Sequence, residues 1–151
     1  MPQVVANGLT LEFEEFGDLD DPPVLLVAGL NAQLTVWRDG FCHQLAEMGH
    51  RVVRFDNRDV GLSTWLDQYP VCDPVEAYLS FLDGGKIEAP YSLTDMADDA
   101  VGLLDALDIE SAHVVGGSFG GMIAQRMAIH SPVRVRSLTS VSYTHLTLPT
   151  N

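Results

Sequence analysis

Basic residues are scarce: 8 lysines and arginines stand against 21 aspartates and glutamates in 151 residues, a formal net charge of −13 at pH 7. A surface of that sign repels polyanions, so nucleic acid and an anionic membrane are not the expected partners. The acid excess reads as solvated surface. Cysteine is scarcer still. Cys42 and Cys72 stand alone without CxxC spacing, which argues against a disulfide framework and for free thiols in a reducing cytoplasm. The five histidines show no metal-ligand spacing, and no metal or cofactor is expected. The opening MPQVVANG has no basic segment leading into a long apolar one, so no secretory leader is read there. The longest apolar runs, such as VLLVAGL, are far too short to span a bilayer. With 46% hydrophobic residues, the chain suits one globular, cytoplasmic domain with a real core.

What is present alternates between two periods. VVANGLTLEFEEFG places apolar and polar residues in turn around Asn7-Gly8, a hairpin signal. Three short apolar runs, 24–27 (VLLV), 51–55 (RVVRF) and 112–115 (AHVV), have the character of strands buried in a parallel sheet. A further strand is read over 135–140. Helical spacing links Trp37, Phe41, Leu45 and Met48, with Gly49 placed to end that helix. Ser92 caps a clearer one, whose face carries Leu93, Met96, Ala97, Ala100, Leu103, Leu104 and Leu107. Asp95, Asp98 and Asp99 crowd its first turns, where the helix dipole favours negative charge. The stretch 66–90 is irregular, with one short helix expected from Asp73-Pro74. Another helix spans 120–130. Strands alternating with helices specify an α/β fold with a largely parallel sheet.

The sharpest signal is HVVGGSFGGMIAQ, residues 113–125, where a strand gives way to a helix through G-x-S-x-G. A serine on such a turn is held clear of the sheet, glycines two positions to either side remove obstructing side chains, and the helix behind aims free N–H groups at one spot. Ser118 is therefore the candidate nucleophile. The plainer alternative is a glycine-rich turn with Ser118 as an ordinary helix cap. A nucleotide-binding loop fails on spacing, since GGSFGG lacks the GxGxxG order, has no acid about 20 residues on, and has no GK[ST].

These residues, with VLLVAGL after the hairpin and FDNRDVGLS at 55–63, resemble the α/β-hydrolase family, in the serine esterase branch that includes aclacinomycin methylesterase. The resemblance covers nearly everything up to Ser140. It implies a three-layer sheet, mostly parallel with an N-terminal hairpin, cut off after about the sixth strand. It also implies an oxyanion hole from the backbone N–H of Phe119 and that of Leu30, which follows Ala28-Gly29 where many relatives carry His-Gly. Leu30 serves equally well as a plain core residue. Asp56, Arg58, Gly61 and Ser63 match a family turn whose role is structural, with Arg58 in an internal ion pair and Asp59 where many members have glycine. Trp37 matches an aromatic near the active-site loop, though its spacing also suits the core. Serine rather than aspartate at the elbow favours acyl transfer on a small carboxylic ester over dehalogenation or epoxide opening. A cofactor-free perhydrolase, a thioesterase and a non-catalytic binding protein remain as alternatives.

A nucleophilic serine needs a base, and the family order is serine, then acid, then histidine. No acid follows Ser118; the last is Glu110. His43, His50 and His113 precede the serine and read as structural. His130 lies twelve residues further along the same helix, about 18 Å away along the axis. That leaves His145, in a tail unlike the rest. Residues 141–150 (VSYTHLTLPT) resemble, at all ten positions, one translated frame of a transposon end and adapter used in DNA sequencing. The expectation is that 1–140 is the N-terminal part of a single hydrolase domain, that 141–151 is a non-native tail, and that this chain lacks its base and acid and is inactive.

Overall fold

A computed structural model describes residues 2–69, 73–86 and 89–141. The hairpin forms as its pattern requires. Strand β1 (Gln3–Ala6) pairs antiparallel with β2 (Leu9–Phe16) through Asn7 and Gly8, both at positive φ (49° and 77°), the backbone that matches the twist of a tight hairpin. β2 runs antiparallel to β4 (Arg51–Phe55), and from there the sheet is parallel through β3 (Pro23–Val27), β5 (Ala112–Gly117) and β6 (Val135–Val141). The order is β1-β2-β4-β3-β5-β6. β6, one residue longer than expected, lies at the sheet's edge.

Alternation along β3 sorts the core into two layers. Leu25 and Val27 face one side, where they meet α3 (Leu93–Ala106) through Ala97, Ala100, Leu103 and Leu104, and α4 (Phe119–His130) through Ile123, Ala124 and Met127. Val24 and Leu26 face the other side, against Cys42 of α1 (Asp39–Glu47). Helices on both faces make the three layers that the family resemblance implied. The short helix expected after Asp73 is α2 (Pro74–Leu82), with the Asp73 carboxylate accepting from the Val75 and Glu76 N–H groups. No helix of the described residues is long and apolar enough to cross a membrane.

Two expectations need correction. α1 begins at Asp39, so Trp37 lies outside it, just after the short 3₁₀ turn Leu34–Val36. Its buried position is Cys42, while Phe41 is partly exposed and Met48 fully so. The small thiol lets the helix sit close on β3 and β4, and burial pushes the Cys42 pKa up. Gly49 ends the helix as expected, at φ 82°. In α3, Ser92 and Asp95 form a reciprocal capping box, but Asp99 is not a dipole partner. It sits on the helix's apolar face, three residues after Met96, and is 2% exposed. Cys72, His145 and all of the suspected tail except Val141 lie outside the described residues.

Asp99 tolerates burial because it is fully paired. Arg58 grips it with two N–H donors at 2.6 and 2.7 Å, and Asn7 Nδ2 donates at 2.8 Å. This joins the hairpin turn, the segment after β4 and α3 at one carboxylate, and it is the internal ion pair expected for Arg58. Asp99→Ala would strand the Arg58 guanidinium and is expected to lower stability by about 3–5 kcal/mol in urea titrations; a loss under about 1 kcal/mol would show that the pair braces nothing.

Candidate active site

The chain turns sharply from β5 into α4. Ser118 has φ 52° and ψ −122°, in the left-handed half of backbone space where a side chain is strained. It is pinned at both ends: its N–H donates to Val141 O at 3.0 Å, and its carbonyl accepts from Gly121 N–H at 2.8 Å. The side chain makes no capping hydrogen bond, and these angles are not those of a cap. The ordinary-cap alternative therefore does not describe this serine.

The flanking glycines are there for space. A Cβ on Gly116 would lie 2.3 Å from Gly120 O, and one on Gly120 would lie 2.2 Å from Val27 O and 2.5 Å from Ala28 O. Backbone meets backbone at both places, so nothing can give way. Gly117, between them, has no such conflict; its nearest neighbours would be the Trp37 ring carbons Cη2 and Cζ2 at 3.7 Å.

The close approach at Gly120 sets the loop after β3 against the serine. A Cβ on Gly29 would come within 3.5 Å of Ser118 Cβ and 4.0 Å of its Oγ. Asn57 Nδ2 donates to Ala28 O at 3.2 Å, and the Leu34 N–H donates to Asp56 Oδ1 at 2.6 Å, which fixes both ends of that loop. The Leu30 side chain is 68% exposed, so its reading as a core residue falls. Neither the Leu30 N–H nor the Phe119 N–H, first of α4, donates to an acceptor among the described residues. A cleft of about 400 Å³ opens here, bordered by Gly29, Leu30, Val36, Trp37, Gly117 and Ser118. On the far side of Leu30 lies a smaller recess of about 70 Å³, where Phe119 meets Asn57, Arg58, Asp59 and Tyr91.

The segment after β4 is a brace. Asp56 is buried, with Oδ1 on Leu34 N–H and Oδ2 accepting from Leu62 N–H at 3.1 Å. Its carboxylate fills the space above Gly61, where a Cβ would lie 1.9 Å from Oδ2 and φ is 56°. Ser63 Oγ donates to Asp56 O at 2.6 Å and accepts from Glu12 N–H at 2.9 Å, tying the turn to β2. This is the structural role expected of these residues. Sequence reasoning missed Asp59. At φ 59° it holds a conformation that aspartate tolerates better than most residues, its carboxylate accepts from Leu66 N–H at 2.6 Å, and it lines the smaller recess with Tyr91. The unusual aspartate was the available signal.

The four described histidines lie elsewhere. His43 sits edge-on to Phe16 at 5.1 Å, His113 Nδ1 lies 2.7 Å from Ser137 Oγ, and His50 neighbours His113. His130 closes the far end of α4. Among the described residues, no histidine or carboxylate bonds to Ser118 Oγ, and no group of three His, Cys, Asp or Glu could hold a metal.

Two outcomes follow from this geometry. Ser118→Gly relieves the strained backbone and is expected to raise stability by about 1 kcal/mol in denaturant titrations; a loss would show the turn to be relaxed. Burial, then the neighbouring Asp59 carboxylate, pushes the Tyr91 pKa up to about 12. The folded-state value lies above the unfolded one, so its stabilising share is complete below about pH 10 and drains away as pH rises towards 12. Ultraviolet phenolate titration should show a late phase that Tyr91→Phe removes; a titration that Tyr91→Phe leaves unchanged at high pH would contradict this.

Comparison with known proteins agrees with this architecture. The family model described as "alpha/beta hydrolase fold" matches residues 22–151. The chain is 36% identical over 136 residues to rhodomycin D methylesterase DauP of Streptomyces sp. (strain C5), covering 90% of this chain and 40% of that protein. DnrP of Streptomyces peucetius, also a rhodomycin D methylesterase, matches to the same extent. A 2-hydroxymuconate semialdehyde hydrolase of Pseudomonas sp. (strain CF600) is 47% identical over 62 residues, 41% of this chain and 22% of that protein. Among solved structures, epoxide hydrolase A from Mycobacterium thermoresistibile superposes with a TM-score of 0.71 at 27% identity, covering 92% of this chain and 37% of that one. The chain therefore spans about two fifths of the length of the methylesterases it matches. It belongs to the α/β-hydrolase fold family.

Proposed function

We propose that this chain is the nucleophile-bearing part of a serine esterase that cleaves a small carboxylic ester through an acyl-enzyme. The observation that carries the reading is Ser118, held at φ 52° on a strand-to-helix turn and bordering an open cleft. Ser118 Oγ attacks the ester carbon, the carbonyl π electrons move to oxygen, and the oxyanion is held by the N–H groups of Leu30 and Phe119. Each such donor contributes roughly 3 kcal/mol to the transition state, and the N-terminal end of α4 adds its partial positive charge. The C–O bond to the alcohol then breaks, and water later releases the acid. The base that takes the Oγ proton, and the acid that orients it, come on this reading from the length of the relatives that this chain does not span. The methylesterase relatives, the exposed Leu30 and the serine at the elbow all support ester chemistry.

One observation favours a second reading. Among the described residues nothing is placed to deprotonate Ser118, which suits a hydrolase-like binding protein as well. Kinetics separate the two. The 151-residue chain should turn over p-nitrophenyl acetate no faster than buffer. A form extended in frame past Ser140, with its own acid and late histidine, should hydrolyse it, and Ser118→Ala should cut kcat by about a million-fold. Hydrolysis that survives Ser118→Ala would overturn the esterase reading; an extended form without an acid and histidine would favour the binder.

A further inference from the structure

We infer that Trp37 selects the substrate at this site by receiving the uncharged, apolar part of the ester against its ring; the inference rests on the hydrolase reading of Ser118. Trp37 reaches the site through an unusual gap. The residue before the nucleophile is Gly117, and the benzo edge of the indole lies 3.7 Å from where a Gly117 Cβ would be. Both residues border the 400 Å³ cleft with Ser118. A void of that size suits a small ligand.

The ring is placed by packing. It stacks on Phe41 with centroids 5.9 Å apart and packs on the buried cluster of Val24, Leu26, Cys42 and Val52. Its backbone carbonyl accepts from Arg54, which is itself paired with Glu14 and Asp39. The indole N–H is buried and meets no acceptor among the described residues, although a buried tryptophan usually finds one. A polar donor is thus left unmet while the ring's apolar edge stays beside the nucleophile.

The rest of the wall agrees. Val36 and Leu30 are 57% and 68% exposed at the cleft, and no charged side chain among the described residues borders it, on a chain whose net charge is −13. Arg58 and Asp59 lie across Leu30, in the smaller recess. A charged substituent entering the Trp37 cleft would lose water and gain no partner. An aliphatic one would cover the ring edge.

Methyl hexanoate and monomethyl adipate test this directly, because they differ only in a terminal methyl against a terminal carboxylate. Dissociation constants for the chain, measured by ligand-observed NMR, should favour methyl hexanoate at least tenfold. Trp37→Ala should erase that preference and Trp37→Phe should keep most of it. Gly117→Leu, at a position where a Cβ meets only the Trp37 ring edge at 3.7 Å, should put a side chain between that edge and the ligand and weaken methyl hexanoate at least tenfold, which covers the case in which Trp37→Ala does not fold. Equal binding of the two esters, or a Gly117→Leu variant that binds like the parent, overturns the inference. Selective binding without Ser118-dependent turnover in the extended form supports it while removing the esterase reading; turnover without selectivity removes the role of Trp37 alone.

Discussion

The site depends on one missing methylene position. At Gly120 the start of α4 passes so close to the end of β3 that a Cβ would fall within 2.5 Å of two successive carbonyl oxygens, those of Val27 and Ala28. Hydrogen bonds cannot enforce such an approach; the absence of a side chain permits it. Because α4 starts there, Ser118 must turn through a strained conformation to enter the helix, and because β3 ends there, the loop carrying Gly29 and Leu30 emerges against the same serine. Candidate nucleophile, candidate oxyanion donors and cleft are consequences of two backbones touching.

Polar braces hold the segments around this turn. Asp56 fixes the loop of Leu34 and the turn at Gly61, and Asp99 joins Arg58 to the hairpin through Asn7. Buried ion pairs are weak sources of net stability, since desolvation offsets most of their attraction. Their effect here is geometric. Each carboxylate ties together segments far apart in sequence, and each would be costly to leave half-paired. The scaffold beneath Leu30 and Phe119 therefore has few ways to relax, which suits donors that must already be in place before charge develops.

Much of this was legible in the chain, and the exceptions have physical reasons. β3, β4 and β5 announced themselves as short apolar runs, because strands covered on both faces have no polar side to show. The Asn7-Gly8 turn and the Ser92 cap were equally plain, since backbone demands there admit few residue types. The turn at Ser118 was legible because its glycines are spaced by collision. Trp37 was misplaced because a periodicity of 3.6 cannot tell a helical residue from one just ahead of the helix. Asp99 was misread because its charge suggested the helix end, while its register, three residues after Met96, put it on the buried face. The place of Asp59 could not be seen at all: Leu66, whose N–H it accepts, is seven residues away and Tyr91, its neighbour in the recess, thirty-two, and only the folded chain brings the three together.

The central claim is that this turn makes Ser118 the reacting atom once a base is supplied. It is tested most directly by treating the form extended past Ser140 with a fluorophosphonate and locating the adduct by tandem mass spectrometry. The account predicts a single modified residue, Ser118, and no adduct in the Ser118→Ala variant. A folded, extended protein that stays unlabelled, or one labelled at a different serine, would contradict it.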